Sequence, residues 1–338
     1  MSRQARIFSE TDTLLKEESS EEKQPELPYL IIHYCAIAGH LIAGTWMAIE
    51  YANRENLQIP YTETYLKWTR TKNLTSCPAG SRPLETSVNG NFCIEPTTGP
   101  VDCNDESPPV CAGLDLGWLI ISFHALSFIF QGAAALTDLC EEGVCGYRYS
   151  TIIKTGKNPL RFLEYGISAA IMLMCIALLN GVTDINLIAA IAVLTSACEF
   201  CGLVVEYLPT RSPLKWVLHL TGWLQFLCAY GIIAHAFFKS VDAVPNVNPP
   251  DFVYVIVILL FLLYASFGAV QLSELFCEMK CSESACGDCP LWCRNKKEKR
   301  INYEYKEMIY VTLSLGSKLV LGGLIFANVL FCLLYTSD

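Results

Sequence analysis

The chain has 338 residues, of which 52% are hydrophobic and 17% are charged, and its formal net charge is −9. Soluble domains average about 25% charged residues, so this composition argues against an ordinary soluble enzyme. The negative net charge argues against a nucleic-acid partner.

The first 28 residues are polar and acidic. A cleavable signal peptide has a basic start followed by a short apolar stretch, which this segment does not resemble. Residues 1–28 are therefore predicted to form a disordered, acidic, cytoplasmic tail.

Seven apolar segments follow the tail. A helix that crosses a bilayer needs about 20 mostly apolar residues. The segments that meet this requirement are residues 29–52, 114–139, 158–180, 185–208, 214–238, 252–276 and 308–335. They leave no room for a separate soluble core. The predicted fold class is an all-α membrane protein in which residues 29–338 form one seven-helix bundle.

The distribution of basic residues predicts the orientation, because cytoplasmic loops are enriched in Lys and Arg. Seventeen of the 24 Lys and Arg residues lie in the tail and in the loops after the second, fourth and sixth segments. Six lie in the loops on the other side. This asymmetry predicts a cytoplasmic N-terminus and an extracellular C-terminus.

The long loop at residues 56–113 has the features of an extracellular segment. Asn73 begins the chain's only Asn-X-Ser/Thr sequon, a glycosylation candidate only on the lumenal side. Four cysteines in the same loop predict two disulfides with three alternative connectivities; four free thiols are the alternative. These cysteines are Cys77, Cys93, Cys103 and Cys111.

A second cysteine-rich loop is predicted on the cytoplasmic side, at residues 277–307. Its basic run would attract anionic lipid, and cytosolic cysteines beside a membrane are candidates for palmitoylation. Lipidation is favoured over zinc binding because the spacing is not two CxxC pairs and no His lies nearby. Unmodified thiols are the third alternative. The lipidation candidates are Cys277, Cys281, Cys286, Cys289 and Cys293.

Lys318 is the one basic residue deep inside a predicted span. A charge at the bilayer centre costs about 2.5–3.5 kcal/mol on insertion scales, so such residues usually serve a function. The side chain could snorkel, form a structural ion pair, or act as a neutral amine that condenses with an aldehyde. A protonated Schiff base formed in that way would need a buried anion.

Two acids, Glu164 and Glu199, lie well inside the predicted spans. A helix rises about 1.5 Å per residue, which places both acids at a similar depth and within reach of the Lys318 side chain. Glu164 is the better counterion candidate because Arg161 stands one turn earlier, so that one pocket could hold all three. The sequence alone does not exclude Glu199.

His40 and His124 are the two histidines predicted to reach the middle of the membrane. Because histidine titrates near neutral pH, a His pair beside a buried ion pair could store or pass a proton. Two hydrogen-bonded packing histidines are the alternative. No metal-spaced His cluster and no nucleophile–base set appear within the spans, so no metal is predicted and an enzyme is the least favoured class.

Several motifs, in order along the chain, resemble the heliorhodopsin family. The third segment carries Asn158-Pro-Leu-Arg161-Phe-Leu-Glu164-Tyr165-Gly-Ile-Ser168. The sixth carries Phe252-Val-Tyr254, Ser266-Phe267 and Val270-Gln271, and the seventh carries Tyr310-x-x-Leu313-Ser314-Leu315-x-x-Lys318. The inverted orientation, the long first loop and the two mid-membrane histidines fit the same pattern, so the resemblance spans all seven helices.

The resemblance implies an all-trans retinal linked to Lys318 as a protonated Schiff base, with Glu164 as its counterion. The polar network near the Schiff base would consist of Ser314, His40, His124 and Arg161. Family members are generally dimers with slow photocycles, so a homodimer in contact with membrane lipids is expected. The chain departs from the family pattern at Glu199, a second buried acid where an apolar residue is expected, and in its two cysteine-rich loops.

Three functions follow from these features. The leading hypothesis is a light sensor in the plasma membrane or an endomembrane, whose slow conformational signal reaches a cytoplasmic partner. The second is a light-driven or light-gated proton transporter, because Glu199 and the histidines supply titratable sites along a path. The third is a seven-helix receptor for a diffusible ligand, in which Lys318 and Glu164 form a structural ion pair.

Overall fold

Seven long helices make up most of the chain that the computed structural model describes. The described residues are 27–52, 58–71, 82–86, 90–100, 113–139, 148–209, 212–242, 251–280 and 303–326. Within these ranges, seven helices are long and apolar enough to cross a membrane. This confirms the predicted seven-helix class.

The membrane helices follow the predicted segments, and one short helix lies between the second and third of them. The helices are α1 (Leu27–Ala52), α2 (Leu116–Leu139), the short α3 (Tyr149–Lys154), α4 (Pro159–Leu179), α5 (Ile185–Tyr207), α6 (Pro213–Asp242), α7 (Asp251–Lys280) and α8 (Tyr303–Ile325). The first six membrane helices agree with their predicted bounds to within about four residues, the usual uncertainty of such boundaries.

The last membrane helix differs most from its prediction. α8 begins at Tyr303, so Lys306 lies in a helix and not in the loop predicted at 277–307. The other end of that loop shifts as well, because α7 continues to Lys280 and includes Cys277. Lys318 is consequently fifteen residues into α8, about 22 Å along the helix axis.

The turn between α4 and α5 is fixed by local signals. At the start of α4, Asn158 accepts a hydrogen bond from a first-turn N–H, and Pro159 takes a position that needs no N–H of its own. Gly181 follows α4 with a φ of +85°, which a glycine adopts without strain. Asp184 then caps α5 by accepting from two N–H groups of its first turn.

The helix α4 has the most buried membrane-spanning segment among those described. It packs between α2 and α5, while α1 contacts both α2 and α8. The largest buried apolar cluster includes Met47, Phe123, Leu173, Ile176 and Leu321. The outward faces carry large apolar side chains, which suit a lipid environment, among them Trp118, Val193, Leu220 and Ile258.

Strands lie between α1 and α2. β1 (Gln58–Pro60) pairs antiparallel with β5 (Gly113–Asp115), and a three-stranded antiparallel sheet has the order β2 (Thr62–Thr71), β4 (Gly90–Pro100), β3 (Arg82–Thr86). The backbone N–H of Thr62 donates to Thr183 O at 3.0 Å, and that of Thr64 donates to Asp184 Oδ2 at 3.0 Å. The sheet is thereby joined to the turn between α4 and α5.

Several predicted loop sites lie outside the described residues. They are Asn73, Cys77, Cys103, Cys111, Cys281, Cys286, Cys289 and Cys293. Two predicted sites are described. Cys93 is disulfide-bonded. Cys277 is disulfide-bonded as well, so its thiol is not available for the predicted lipidation in this structure. The helix α1 begins at Leu27, within the predicted tail at 1–28; residues 1–26 of that tail lie outside the described residues.

Candidate functional site

Lys318 lies in the interior of the bundle with its amine enclosed by polar side chains. The residue is 2% exposed. Its Nζ lies 2.5 Å from Ser127 Oγ on α2, 2.9 Å from Glu164 Oε1 on α4 and 3.0 Å from Ser314 Oγ on α8. The structure therefore brings together the predicted Lys318, Glu164 and Ser314, and adds Ser127. These four residues are called the amine site below.

Ser127 links the two charged members of the amine site. Its Oγ lies 2.5 Å from the same Glu164 oxygen that contacts Lys318. A serine hydroxyl has one proton, so Ser127 donates to Glu164 and accepts from Lys318. A buried ion pair offsets its desolvation cost only when further hydrogen bonds satisfy its polar atoms. Ser127 and Ser314 supply those bonds here.

Aromatic rings close the site around the amine. The ring centroid of Tyr165 lies 5.3 Å from Lys318 Nζ, within cation–π range. The Tyr165 hydroxyl donates to Tyr310 O at 3.0 Å, which fixes the ring against α8. Phe267 on α7 packs edge-on against Tyr165, with the ring centroids 5.5 Å apart. These contacts hold α4, α7 and α8 together beside the amine.

A cavity of about 90 Å³ extends from Lys318 between α4, α5, α6 and α7. By the same measure one water molecule needs about 10–15 Å³, so the cavity is several times larger than a water site. Most of its wall is apolar or aromatic, as small-molecule pockets usually are. The larger lining side chains include Met172, Trp223, Phe226, Tyr264 and Phe267.

Gly268 allows an indole ring to form one wall of this cavity. A Cβ at Gly268 would lie 2.8 Å from Trp223 Cζ2, which is closer than carbon atoms approach in proteins. The indole is held in place because Trp223 Nε1 donates to His219 Nε2 at 2.9 Å. His219 Nδ1 in turn lies 3.2 Å from Gln271 Oε1. The wall is therefore fixed by α6 and α7 together.

Glu199, the second candidate anion, lines the same cavity without contacting Lys318. It lies on α5, beside Cys198 and one turn before Gly202. Among the described residues, its carboxyl group forms no hydrogen bond and no ion pair. The structure thus separates the two acids: Glu164 pairs with the amine, and Glu199 stands along the cavity wall.

The two predicted histidines are in direct contact. His40 Nδ1 and His124 Nδ1 lie 3.1 Å apart, and both residues are buried. If both rings are neutral, one Nδ1 donates and the other accepts, so one Nε2 carries a hydrogen and the other a lone pair. Neither Nε2 has a partner within the described ranges. The pair is not hydrogen-bonded to Lys318.

Arg161 faces the end of the bundle at which α4 begins, and not the amine site. Its Nη1 pairs with Glu307 Oε1, and its Nη2 lies 2.5 Å from Glu206 Oε1. Lys306 extends this arrangement, with Nζ 2.8 Å from Glu206 Oε1 and 2.6 Å from Glu274 Oε2. These five residues, called the ion cluster below, connect α4, α5, α7 and α8.

The ion cluster and the amine site are neighbours. Asn158 donates from its backbone to Glu206 and from its side chain to Glu307, both at 3.0 Å. A cavity of about 20 Å³ is lined by both Arg161 and Glu164, and that volume is enough for one water molecule. Arg161 therefore borders the predicted polar network without bonding to Glu164.

Five members of these groups were not predicted as site residues: Ser127, Glu206, Glu274, Lys306 and Glu307. Ser127 is an uncharged residue in an apolar segment and has no distinguishing signal in the sequence. The three acids lie near helix ends, where a solvated carboxylate is the ordinary expectation. Their depth could have indicated the cluster: Arg161, Glu206 and Glu307 all lie within about two turns of the same end of the bundle, so their side chains can meet there.

Comparison with known families identifies this arrangement. The family model described as Heliorhodopsin matches residues 85–281, more than half of the chain. The chain belongs to the heliorhodopsin family. It is thus a retinal-binding rhodopsin of the photoreceptor type and an integral, multi-pass membrane protein. No curated protein matches the chain.

The residues present fit the retinal of a heliorhodopsin. The family match ends before α8, so the assignment of Lys318 rests on geometry. A primary amine at the edge of an aromatic cavity suits an aldehyde with a long apolar body, and a carboxylate 2.9 Å away suits a cation at that nitrogen. Lys318 would hold the group, Glu164 would face its charge, and Trp223 and Phe226 would contact its apolar part.

Proposed function

We propose that this heliorhodopsin is a light sensor in which Lys318 carries all-trans retinal as a protonated Schiff base and Glu164 is the counterion. The observation that supports this most strongly is the buried contact between Lys318 Nζ and Glu164 Oε1 at 2.9 Å, at the edge of the aromatic cavity. Snorkelling does not account for Lys318, since its side chain is buried and bound to three polar groups.

The residues of the amine site stabilise a positive charge on the Lys318 nitrogen. Bound retinal supplies light absorption and a double-bond isomerisation. Glu164 stabilises the charge on the nitrogen, and Ser127 keeps the carboxylate in place through its 2.5 Å hydrogen bond. In the free amine this nitrogen also donates to Ser314 Oγ at 3.0 Å; a protonated Schiff base keeps a single N–H, which Glu164 would accept. A movement of the nitrogen away from these groups leaves Glu164 as a buried charge without its cation, which is costly.

Two helices can carry that imbalance to the ion cluster. α4 bears both Glu164 and Arg161, less than one turn apart, and α8 bears both Lys318 and Glu307. Arg161 and Glu307 are paired across these helices. A shift of α8 relative to α4 at the amine site therefore changes the distance between Arg161 and Glu307 at one end of the bundle. Interfaces of this kind switch between discrete packings.

We propose that this end of the bundle lies in the cytoplasm, where a signalling partner would bind in response to the change. We also expect a homodimer in contact with lipid and no enzymatic activity.

Glycosylation in a eukaryotic cell tests the orientation. Removal of N-glycans should shift the electrophoretic mobility of the wild type and not that of Asn73→Gln. No shift in the wild type would oppose an extracellular 56–113 loop.

Covalent attachment tests the chromophore assignment. The protein is purified with all-trans retinal, treated with borohydride to fix the linkage, and digested for peptide mass spectrometry. The added retinyl mass should be found on the peptide that contains Lys318, and on no other lysine. Retinyl mass on a different lysine, or on none, would overturn the assignment.

Proton transport is the second candidate function, and the placement of Glu199 favours it. This acid lines the chromophore cavity. The Nε2 atoms of His40 and His124, which have no hydrogen-bond partner among the described residues, provide further proton sites. Voltage-clamped cells that express the protein distinguish the two functions. The sensor predicts no light-dependent current. A photocurrent that reverses with the proton gradient and is lost in Glu199→Gln would establish the transporter.

A further inference from the structure

Glu199 is an acidic residue in the cavity that the proposed sensor mechanism does not use. The helix α5 presents Thr195, Cys198, Glu199 and Gly202 to the cavity, which is the spacing of one helix face. Among the described residues that line the cavity, only Glu199 is acidic. Glu164 faces the other side of Lys318, where it lines the small cavity next to Arg161.

The surroundings of Glu199 leave its carboxyl group free to interact with a ligand. It forms no hydrogen bond within the described part of the chain, whereas Glu164 has two. The cations in electrostatic range are Arg161 and Lys318, and neither makes an ion pair with it. Other titratable side chains that face it or share its cavity wall are Tyr165 on α4, Cys198 and Cys201 on α5, His219 on α6, Tyr264 on α7 and Tyr310 on α8.

The His219 imidazole is already committed to other partners. Trp223 donates to its Nε2, so its Nδ1 carries the proton that faces Gln271. Both ring nitrogens are thereby used, and protonation of His219 would break the bond from Trp223. Of the carboxyl group and the imidazole on this wall, Glu199 is therefore the one whose charge can change without breaking a hydrogen bond seen in the structure.

We propose that Glu199 is a specificity-determining residue of the chromophore cavity, a titratable carboxyl group that sets the absorption maximum and makes it respond to pH. This inference rests on the proposed attachment of retinal to Lys318. A conjugated cation moves positive charge away from its nitrogen when it absorbs light. A carboxylate beside the nitrogen, such as Glu164, therefore favours the ground state. We infer that Glu199, which lines the cavity without an ion pair to Lys318, lies nearer the far end of the conjugated chain, where a carboxylate favours the excited state.

The direction of the effect follows from this placement. Ionised Glu199 lowers the excitation energy, so the wild-type pigment absorbs at longer wavelength when Glu199 is charged. Acidification neutralises the carboxyl group and moves the maximum to shorter wavelength. Glu199→Gln is close in shape to the neutral acid, so this variant should stay at the short-wavelength position at every pH.

Absorption spectra recorded from about pH 4 to pH 9 test the inference. The wild type should show one reversible shift of its maximum, and Glu199→Gln should lose it. Thr221→Val is the matched control, because Thr221 lies outside the cavity lining and its hydroxyl donates to Val217 O of its own helix. That variant should keep the wild-type titration.

A second measurement needs no chromophore. Infrared titration of the retinal-free protein should show a carboxyl band that disappears on alkalinisation and is absent from Glu199→Gln. A pigment whose maximum and titration are the same in wild type and Glu199→Gln would overturn the inference and leave the proposed function intact. Absence of any visible band in the wild type would refute the proposed function and the inference with it, even if the infrared band is present.

Discussion

The free energy of unfolding of Arg161→Met tests how the ion cluster holds α4, α5 and α8 together. Arg161 is 5% exposed and pairs with Glu206 and Glu307. Its removal affects the two acids unequally. Glu206 keeps Lys306 at 2.8 Å, whereas among described residues Glu307 keeps only the side-chain amide of Asn158, at 3.0 Å. The uncompensated charge is therefore that of Glu307.

Breaking a buried ion pair by removing one partner costs about 3–5 kcal/mol, whereas removing both partners is often close to neutral. We expect Arg161→Met to lower the free energy of unfolding by about 3–5 kcal/mol. Adding Glu307→Gln should restore about 2 kcal/mol or more of that loss, within the range measured for coupled neighbours. Adding Glu206→Gln should restore less, because Lys306 then loses one of its two carboxylates.

Unfolding by sodium dodecyl sulfate in mixed micelles, followed by circular dichroism, gives these free energies. Lys157→Met is the matched control, since its Nζ lies 4.7 Å from the Tyr207 ring centroid in a half-buried position. That variant should lose about 1 kcal/mol or less. If the losses of Arg161→Met and Glu307→Gln simply add in the double variant, the two side chains are not coupled and the described cluster is incorrect.

Two further predictions concern the cap of α5 and the cavity wall. Burial raises the pKa of Asp184, but hydrogen bonds from Thr64 and the first turn of α5 outweigh it and hold the pKa below its usual value. The stability that this carboxylate contributes is therefore complete above the usual carboxyl pKa and is lost as the pH falls through the lowered one. Thermal unfolding from about pH 7 to pH 3 should show a weaker acid loss in Asp184→Asn than in wild type; equal losses would contradict this role. Gly268→Ala should lower the fraction of protein that binds retinal, because its methyl group meets Trp223. Gly231→Ala, which meets nothing within 4 Å, should not, and equal binding by the two variants would refute the role of the wall.

The seven helices and the contact of Lys318 with Glu164 could both be predicted from the sequence. Long apolar segments are a strong signal, and charges inside them are so few that a cation and its anion can be matched by depth. Glu164 was preferred to Glu199 because of Arg161. The preference agrees with the geometry, although Arg161 itself turns away to Glu307.

The start of α8 and the ion cluster depended on tertiary contacts that no local pattern encodes. The sequence Tyr-Glu-Tyr-Lys-Glu at 303–307 is too polar to read as membrane helix. In the structure Lys306 and Glu307 are buried and paired with residues on other helices, and this neutralisation lets α8 extend. Ser127 was missed for a related reason, since its role exists only where α2 meets α4 and α8.

The central claim is that Lys318 and Glu164 form the attachment site of a retinal chromophore. The most direct test is the visible absorption spectrum of the protein purified with all-trans retinal, beside Lys318→Arg. Arginine keeps the positive charge opposite Glu164 but does not condense with an aldehyde under these conditions. We predict a visible band in the wild type and none in Lys318→Arg. A band of equal strength in both proteins, or in neither, would contradict the claim.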